Sequence, residues 1–297
     1  MIVIYHSVDL DGWCSAAIVK YWYQKQSFRS DQLQLIGWTY GNKIPDIPKN
    51  EEVIMVDISF PLEEMKKLIE NNNLEWCDHH ISAINEMDKV ELNPHGLRDI
   101  KFAACELTWK YFFGENIPEF IRLLGRYDCF GHKGTDEEQK ILEFQYAARA
   151  YFKNPDDCLE MIRFENGEGV IDSIKTIPSL LNIGKGIYQY LCTEAIQEYK
   201  NIWLLEIGGF KFATINKQRF NPINFGINYH EDGYDGFACY WFANNKWNFS
   251  LYNDNGKVDC SEVCKKLGGG GHKGAAGFTC DTWCDHLGVL NVYTKPK

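Results

Sequence analysis

Ile2-Val3-Ile4-Tyr5-His6-Ser7-Val8-Asp9-Leu10-Asp11-Gly12 joins a short apolar run to a histidine and two aspartates. An apolar run this brief, followed by turn residues, reads as a buried strand, Ile2–Tyr5. Gly12 then allows a tight exit into a helical pattern, Gly12–Tyr23, which carries Ala16, Ala17, Ile18 and Trp22. The same alternation recurs downstream. Leu33–Trp38, Val53–Val56 and Leu74–Cys77 are strand candidates. Pro61 opens a helix over Leu62–Asn71, with Glu63 and Glu64 in the first turn where they suit the helix dipole. Further helical patterns fall at Ala103–Phe113, Pro118–Tyr127, Glu137–Phe152 and Pro178–Tyr199. Strands alternating with helices predict an α/β fold with a mostly parallel N-terminal sheet.

From Ile202 the character changes. Trp203–Ile207, Phe210–Ile215, Gly236–Ala243 and Trp247–Tyr252 are β-type runs, rich in aromatics and separated by Gly, Asn and Asp turns. A boundary near Tyr199–Asn201 is expected. It gives a domain over residues 1–199, ending in a connecting helix, and a smaller α/β domain with a mixed sheet over 200–297.

Of 297 residues, 45% are hydrophobic and 24% charged, ordinary for a globular protein with a real core. No stretch reaches the ~18 apolar residues of a membrane span. Met1–His6 lacks the features of a signal peptide, so a cytoplasmic chain without membrane partners is expected. The net charge of −10 argues against a protein that grips long duplex DNA and favours small substrates. The eleven cysteines are scattered with no C-x-x-C pair, which reads as reduced thiols rather than a zinc site or a disulfide framework.

Chemistry concentrates at the strand ends. His6, Asp9 and Asp11 follow the first strand, Asp57 the third and Asp78-His79-His80 the fourth, while Asp128 ends a helical stretch. In a parallel sheet the strand ends share one edge, where ligands of open α/β folds bind. Carboxylates and imidazoles gathered there repel or compete unless cations join them, and the mixed donor set suits borderline divalent metals such as manganese. Taken singly, Asp9 or Asp11 also reads as a helix cap, Asp57 as a turn residue before Pro61, and His79 and His80 as ordinary strand-end polar residues. A second signal is Gly268-Gly269-Gly270-Gly271-His272-Lys273-Gly274-Ala275-Ala276-Gly277-Phe278. Consecutive glycines beside Lys273 and His272 suit a nucleotide or phosphate cradle, and the missing G-K-[ST] ending speaks against a P-loop ATPase.

Asp9-Leu10-Asp11-Gly12, Asp57, Asp78-His79-His80 and Asp128 resemble the four motifs of the DHH phosphoesterase superfamily. Gly269-Gly270-Gly271-His272 with Ala275-Ala276-Gly277 resembles the signature of its associated C-terminal domain. In style the chain is similar to nano-RNases, oligoribonucleases acting on very short RNA. The resemblance implies two Mn²⁺ ions, one held by His6, Asp9 and Asp57, the other by Asp11, Asp57, His79 and Asp128. Asp57 would bridge them, His80 would contact the scissile phosphate, and Asp78 would orient the histidines. Gly269, Gly270, Gly271, His272 and Lys273 would close on the substrate from the other domain. The implied activity is hydrolysis of short single-stranded oligonucleotides or dinucleotides to mononucleotides, and a homodimer is compatible with it. The alternatives are a phosphatase on small phosphorylated nucleotides and a catalytically silent nucleotide sensor. Two departures from the family pattern stand out. His6 and Asp9 are closer together than usual, and Tyr252 lies in the strand where the family often carries a phosphate-binding arginine.

Overall fold

Strand β1 (Ile2–His6) lies at the interior of a four-stranded sheet of order β2-β1-β3-β4, completed by β2 (Gln34–Trp38), β3 (Glu52–Val56) and β4 (Asn73–Cys77). The coordinates are a computed structural model and describe residues 1–26, 32–218 and 220–283. Every pairing in the sheet is parallel, with Ile4 opposite Ile36 and Met55, and Met55 opposite Trp76. Strand residues therefore alternate between two apolar faces. Ile2, Ile4, Val53, Met55, Leu74 and Trp76 bury against Met65 and Leu68 of α2 (Leu62–Asn71) and Ala83 and Met87 of α3 (Ile81–Lys89). Val3, Ile54, Val56 and Cys77 face Val19 of α1 (Leu10–Lys25) and Tyr111 and Phe112 of α4 (Ala104–Phe113).

A larger core unites α1 and α4 with α5 (Glu119–Asp128), α6 (Glu138–Tyr151) and α7 (Pro155–Glu165), and extends to Ile177 and Leu180 at the start of α8 (Ile177–Tyr199). Helix α1 meets both this core and the sheet, which is why Ala16, Ala17, Ile18 and Val19 are all buried. The chain divides into two compact units, Met1–Ile187 and Tyr188–Lys297, the boundary falling inside α8.

The second unit holds a six-stranded sheet of order β5-β6-β7-β8-β10-β9. Its strands are β5 (Trp203–Ile207), β6 (Phe210–Asn216), β7 (Gly236–Ala243), β8 (Lys246–Tyr252), β9 (Gly270–Gly271) and β10 (Ala275–Cys280). The sheet is mixed, because β6 and β7 run parallel while the other neighbours are antiparallel. Helix α9 (Cys260–Lys266) adds Val263 and Cys264 to its core. Tyr240 lies in an aromatic cluster with Trp203, Trp247, Phe249 and Trp283, its ring 4.7 Å from that of Trp283. All described cysteines are free, and no helix among the described residues is long and apolar enough to cross a membrane.

Candidate metal centre

Parallel pairing carries the C-terminal ends of β1, β3 and β4 to one edge, and there the chain turns into its polar motifs. Asp9 caps α1, its Oδ1 accepting from the Gly12 amide at 3.0 Å. The helix can start this close to β1 only because position 12 is glycine, since a Cβ there would stand 2.0 Å from the His6 carbonyl oxygen. Asp11 follows in the first turn and is almost wholly buried, at 2% exposure. Its two oxygens accept from the amides of Ala104 (2.9 Å) and Cys105 (2.7 Å), at the N-terminus of α4. Unsatisfied N–H groups and the helix dipole make that a natural seat for a carboxylate. Asp57 leaves β3 in the left-handed region at φ 59°, uncommon for a residue with a side chain, and its amide donates to the Cys77 carbonyl at 3.0 Å.

These positions converge. His6 Nδ1 stands 2.8 Å from Asp9 Oδ2 and 3.5 Å from Asp57 Oδ2. His79 Nε2 stands 3.4 Å from Asp57 Oδ1, 3.3 Å from Asp128 Oδ2 and 3.6 Å from Asp11 Oδ2. Asp57, 1% exposed, thus presents one oxygen to each histidine. Asp78 accepts from the His79 amide (2.7 Å), the His80 amide (3.2 Å) and His80 Nδ1 (2.7 Å), fixing the turn and the His80 ring together. Asp128 is the last residue of α5, a helix fastened by Arg126, whose guanidinium pairs with the buried Glu106 carboxylate.

Charge accumulates beyond what the protein alone balances. Burial, joined by the charges of Asp57 and Asp128, pushes Asp11 well above the usual carboxylate range. Burial also opposes a charged His6, but Asp57 and Asp9 outweigh it and push its pKa up to about 11. His79 moves the same way, with Asp128 and Asp57 overcoming its burial. Asp57, between the two histidines, is held below the usual range despite its burial. Shifts in these directions are those of a ligand set whose affinity for metal competes with protonation. Asp57 Oδ1 is in addition a buried oxygen without a hydrogen-bond partner.

The donor atoms fit metals. His6, Asp9 and Asp57 form one group whose ligand atoms lie within 4.8 Å of one another, and Asp11, His79 and Asp128 form another. Asp57, Asp78 and His80 meet the same spacing. All six residues expected as ligands are thus gathered in the first unit, with His80 and Asp78 beside them. Asp9 is at once a helix cap and a neighbour of His6.

In the second unit the glycine run forms a tight hairpin. The amides of Gly268 and Gly269 donate to the Lys265 and Cys264 carbonyls and end α9. Gly270 and Gly271 then pair with Gly277 and Ala276, and His272 and Ala275 exchange hydrogen bonds of 2.8 and 3.2 Å around Lys273-Gly274. A Cβ at Gly269 would stand 2.1 Å from the Gly277 oxygen, and Gly271 has φ +139°, so these two glycines are required by the fold of the hairpin itself.

Two features of the centre escape the sequence patterns. The amides of α4 that hold Asp11 are backbone groups without a signature. Thr39 and Tyr40 follow β2, whose Trp38 pairs with His6, and they lie beside the cluster. Thr39 Oγ1 is 3.5 Å from His6 Nε2, and the Tyr40 ring is 6.2 Å from the His6 ring. A search of every strand end, the polar-poor one included, would have found them.

Residues 1–125 match the model of the DHH family, N-terminal domain. The match spans the four-stranded sheet and every residue of the cluster except Asp128, so over this domain the chain is similar to the DHH family. An uncharacterized protein of Acanthamoeba polyphaga mimivirus is 23% identical, across 99% of this chain and 72% of its own. Among solved structures, the pGpG-specific phosphodiesterase PggH of Vibrio cholerae is similar at 12% identity and TM-score 0.47, covering 94% of this chain and 92% of its own. RecJ of Thermus thermophilus, solved with Mn²⁺, is similar at 14% identity and TM-score 0.43, covering 94% of this chain and 49% of its own.

Proposed function

We propose that the protein is a two-metal phosphodiesterase that hydrolyses short oligonucleotides or dinucleotides to mononucleotides, with Mn²⁺ as its metal. The observation that carries this reading is the placement of Asp57, buried, with one carboxylate oxygen toward His6 and the other toward His79. That is the disposition of a carboxylate shared by two cation sites, His6/Asp9/Asp57 and Asp11/Asp57/His79/Asp128. Two divalent ions held there supply neutralisation of the phosphoryl oxygens and activation of the attacking water.

The remaining work falls to side chains of the chain. Asp78 binds His80 Nδ1, fixing the ring, and the Asp78 charge outweighs burial to raise the His80 pKa. Held in this way, His80 is placed to donate a hydrogen bond to a non-bridging oxygen of the phosphate. The second unit is the proposed substrate-binding domain, with Gly269, Gly270, Gly271, His272 and Lys273 contributing to phosphate recognition and Tyr252 in place of an arginine. The acidic balance of the chain supports a short substrate neutralised locally by metal.

The test is Mn²⁺-dependent hydrolysis of a labelled RNA series from dinucleotides upward, with Asp57→Asn as control. Release of mononucleotides, fastest on the shortest substrates and absent in the control, supports the proposal. Cleavage of 3′-phosphorylated nucleosides but of no oligonucleotide replaces it with a nucleotide phosphatase. Mn²⁺ binding without turnover of any phosphate ester replaces it with a sensor.

A further inference from the structure

Tyr40 has no assigned role, and it is half exposed, at 51%, at the end of β2 beside the metal-ligand cluster. Its ring centroid lies 6.2 Å from that of His6 and 6.5 Å from that of His80, so it borders both histidines that reach the cluster from this side. The two imidazoles meet it at 61° and 75°, and Trp38 meets it at 68° and 5.4 Å. All three contacts are edge-to-face. They brace the ring and, among the described residues, leave it without a parallel aromatic neighbour, and Trp38 is itself locked by Phe60 at 5.0 Å and by its indole N–H donating to the Lys43 carbonyl.

An exposed aromatic ring held on several sides loses little freedom when a second flat ring is laid on it. Aromatic rings in such positions are the usual receivers of nucleobases, because every base has a π-face. We propose that Tyr40 is the platform on which the base next to the scissile phosphate stacks, making it a specificity-determining residue that favours nucleotide over base-free phosphate esters. This rests on the phosphodiesterase reading above. The stacked contact acts in binding, and His80 and the metal ligands act on the phosphate. Loss of the ring therefore raises KM and leaves kcat nearly as it was. Stacking is worth about 1–3 kcal/mol per base, or about 5- to 150-fold.

The experiment compares wild type, Tyr40→Phe and Tyr40→Ala with Mn²⁺ on pApA and on its analogue lacking the base beside the scissile bond. It also measures binding of AMP and of ribose 5-phosphate to each protein. Wild type and Tyr40→Phe should share a preference for pApA of about tenfold or more in kcat/KM, carried by KM. In Tyr40→Ala that preference should collapse toward unity, and AMP should bind no better than ribose 5-phosphate. A preference retained in Tyr40→Ala, or a loss carried by kcat on both substrates alike, overturns the proposal and leaves Tyr40 a structural brace for His6. If wild type cleaves neither substrate, the phosphodiesterase reading fails, and the AMP comparison alone decides whether Tyr40 receives a base.

Discussion

Replacing Asp57 by Asn removes one negative charge, keeps the shape of the side chain and keeps a residue that tolerates the left-handed backbone at φ 59°. A positive charge at 3.4 or 3.5 Å from a carboxylate oxygen, the His79 and His6 separations, interacts by about 5 kcal/mol at an effective dielectric near 20. Two such charges make the gross loss about 10 kcal/mol, from which relief of repulsion with Asp11 and Asp128 subtracts. A net loss of about 3–4 kcal/mol in Mn²⁺ binding corresponds to two to three decades in affinity.

Metal-free stability should behave differently. His6 keeps Asp9 at 2.8 Å, and His79 keeps Asp128 at 3.3 Å, so neither imidazolium loses its last partner. Relief of repulsion with Asp11 and Asp128 offsets much of the lost attraction to the two imidazoles, so the charge-only change should cost little beside the loss of metal affinity, whereas Asp57→Ala adds about 1–2 kcal/mol for an alanine at positive φ. Calorimetric titration with Mn²⁺, melting in chelator and turnover on a dinucleotide form the assay. Asp57→Asn should melt within about 4 °C of wild type, bind Mn²⁺ at least 100-fold more weakly and lose turnover. Two Mn²⁺ ions bound with wild-type affinity and undiminished turnover would refute the shared-carboxylate argument.

Gly12→Ala should act on the same centre through backbone geometry. Its Cβ would collide with the His6 carbonyl, so we expect destabilisation of at least about 1–3 kcal/mol and turnover down about 100-fold, read by denaturant melts and kinetics. Gly269→Ala should break the β9-β10 hairpin by its clash with the Gly277 oxygen. Melting and hydrogen exchange should show the loss in the second unit while Mn²⁺ still binds the first. Glu165, whose Oε2 accepts from the Phe120 amide at 3.0 Å, has its pKa pushed by burial from an ordinary 4.5 to about 7. Between those values the folded state holds the proton and the unfolded chain does not. The stabilisation is therefore full below about pH 4.5 and lost as pH rises through 7, about 1–2 kcal/mol after allowance for its partial exposure. Glu165→Gln should flatten that part of the profile in urea melts between pH 5 and 8, and an unchanged slope would contradict the assignment.

The strands of the first unit were legible because a parallel sheet buried on both faces demands unbroken apolar runs, as in Val53–Val56. Their polar ends then marked the candidate site, because several fall together at one edge of the sheet, although each carboxylate alone also reads as a cap or a turn residue. Helices α3 and α7 left weaker traces. Ile81–Lys89 starts directly at His80 with no side-chain cap. Pro155–Glu165 begins at a proline after Asn154, whose cap on the Asp156 and Asp157 amides becomes recognisable only with the helix in view. The glycine run reads from sequence as a ligand cradle, yet Gly269 and Gly271 are also required by close packing inside a hairpin. A glycine pattern reports that something comes near the backbone, not whether it is a phosphate or another strand. Tyr40 carries no motif at all and is marked only by the register of β2 against β1.

Asp11 shows how fold and chemistry constrain one another here. Its oxygens fasten the N-terminus of α4 to the first turn of α1, and one of them, Oδ2, also faces His79. A carboxylate so buried is stabilised by two amides and a helix dipole, while burial and the charges of Asp57 and Asp128 push its pKa up against them. The deficit is one that a multivalent cation removes, because the carboxylates of Asp11, Asp57 and Asp128 all converge on His79. Binding of metal to this edge should therefore tighten the junction of α1 with α4, coupling the stability of the first unit to the occupancy of its centre.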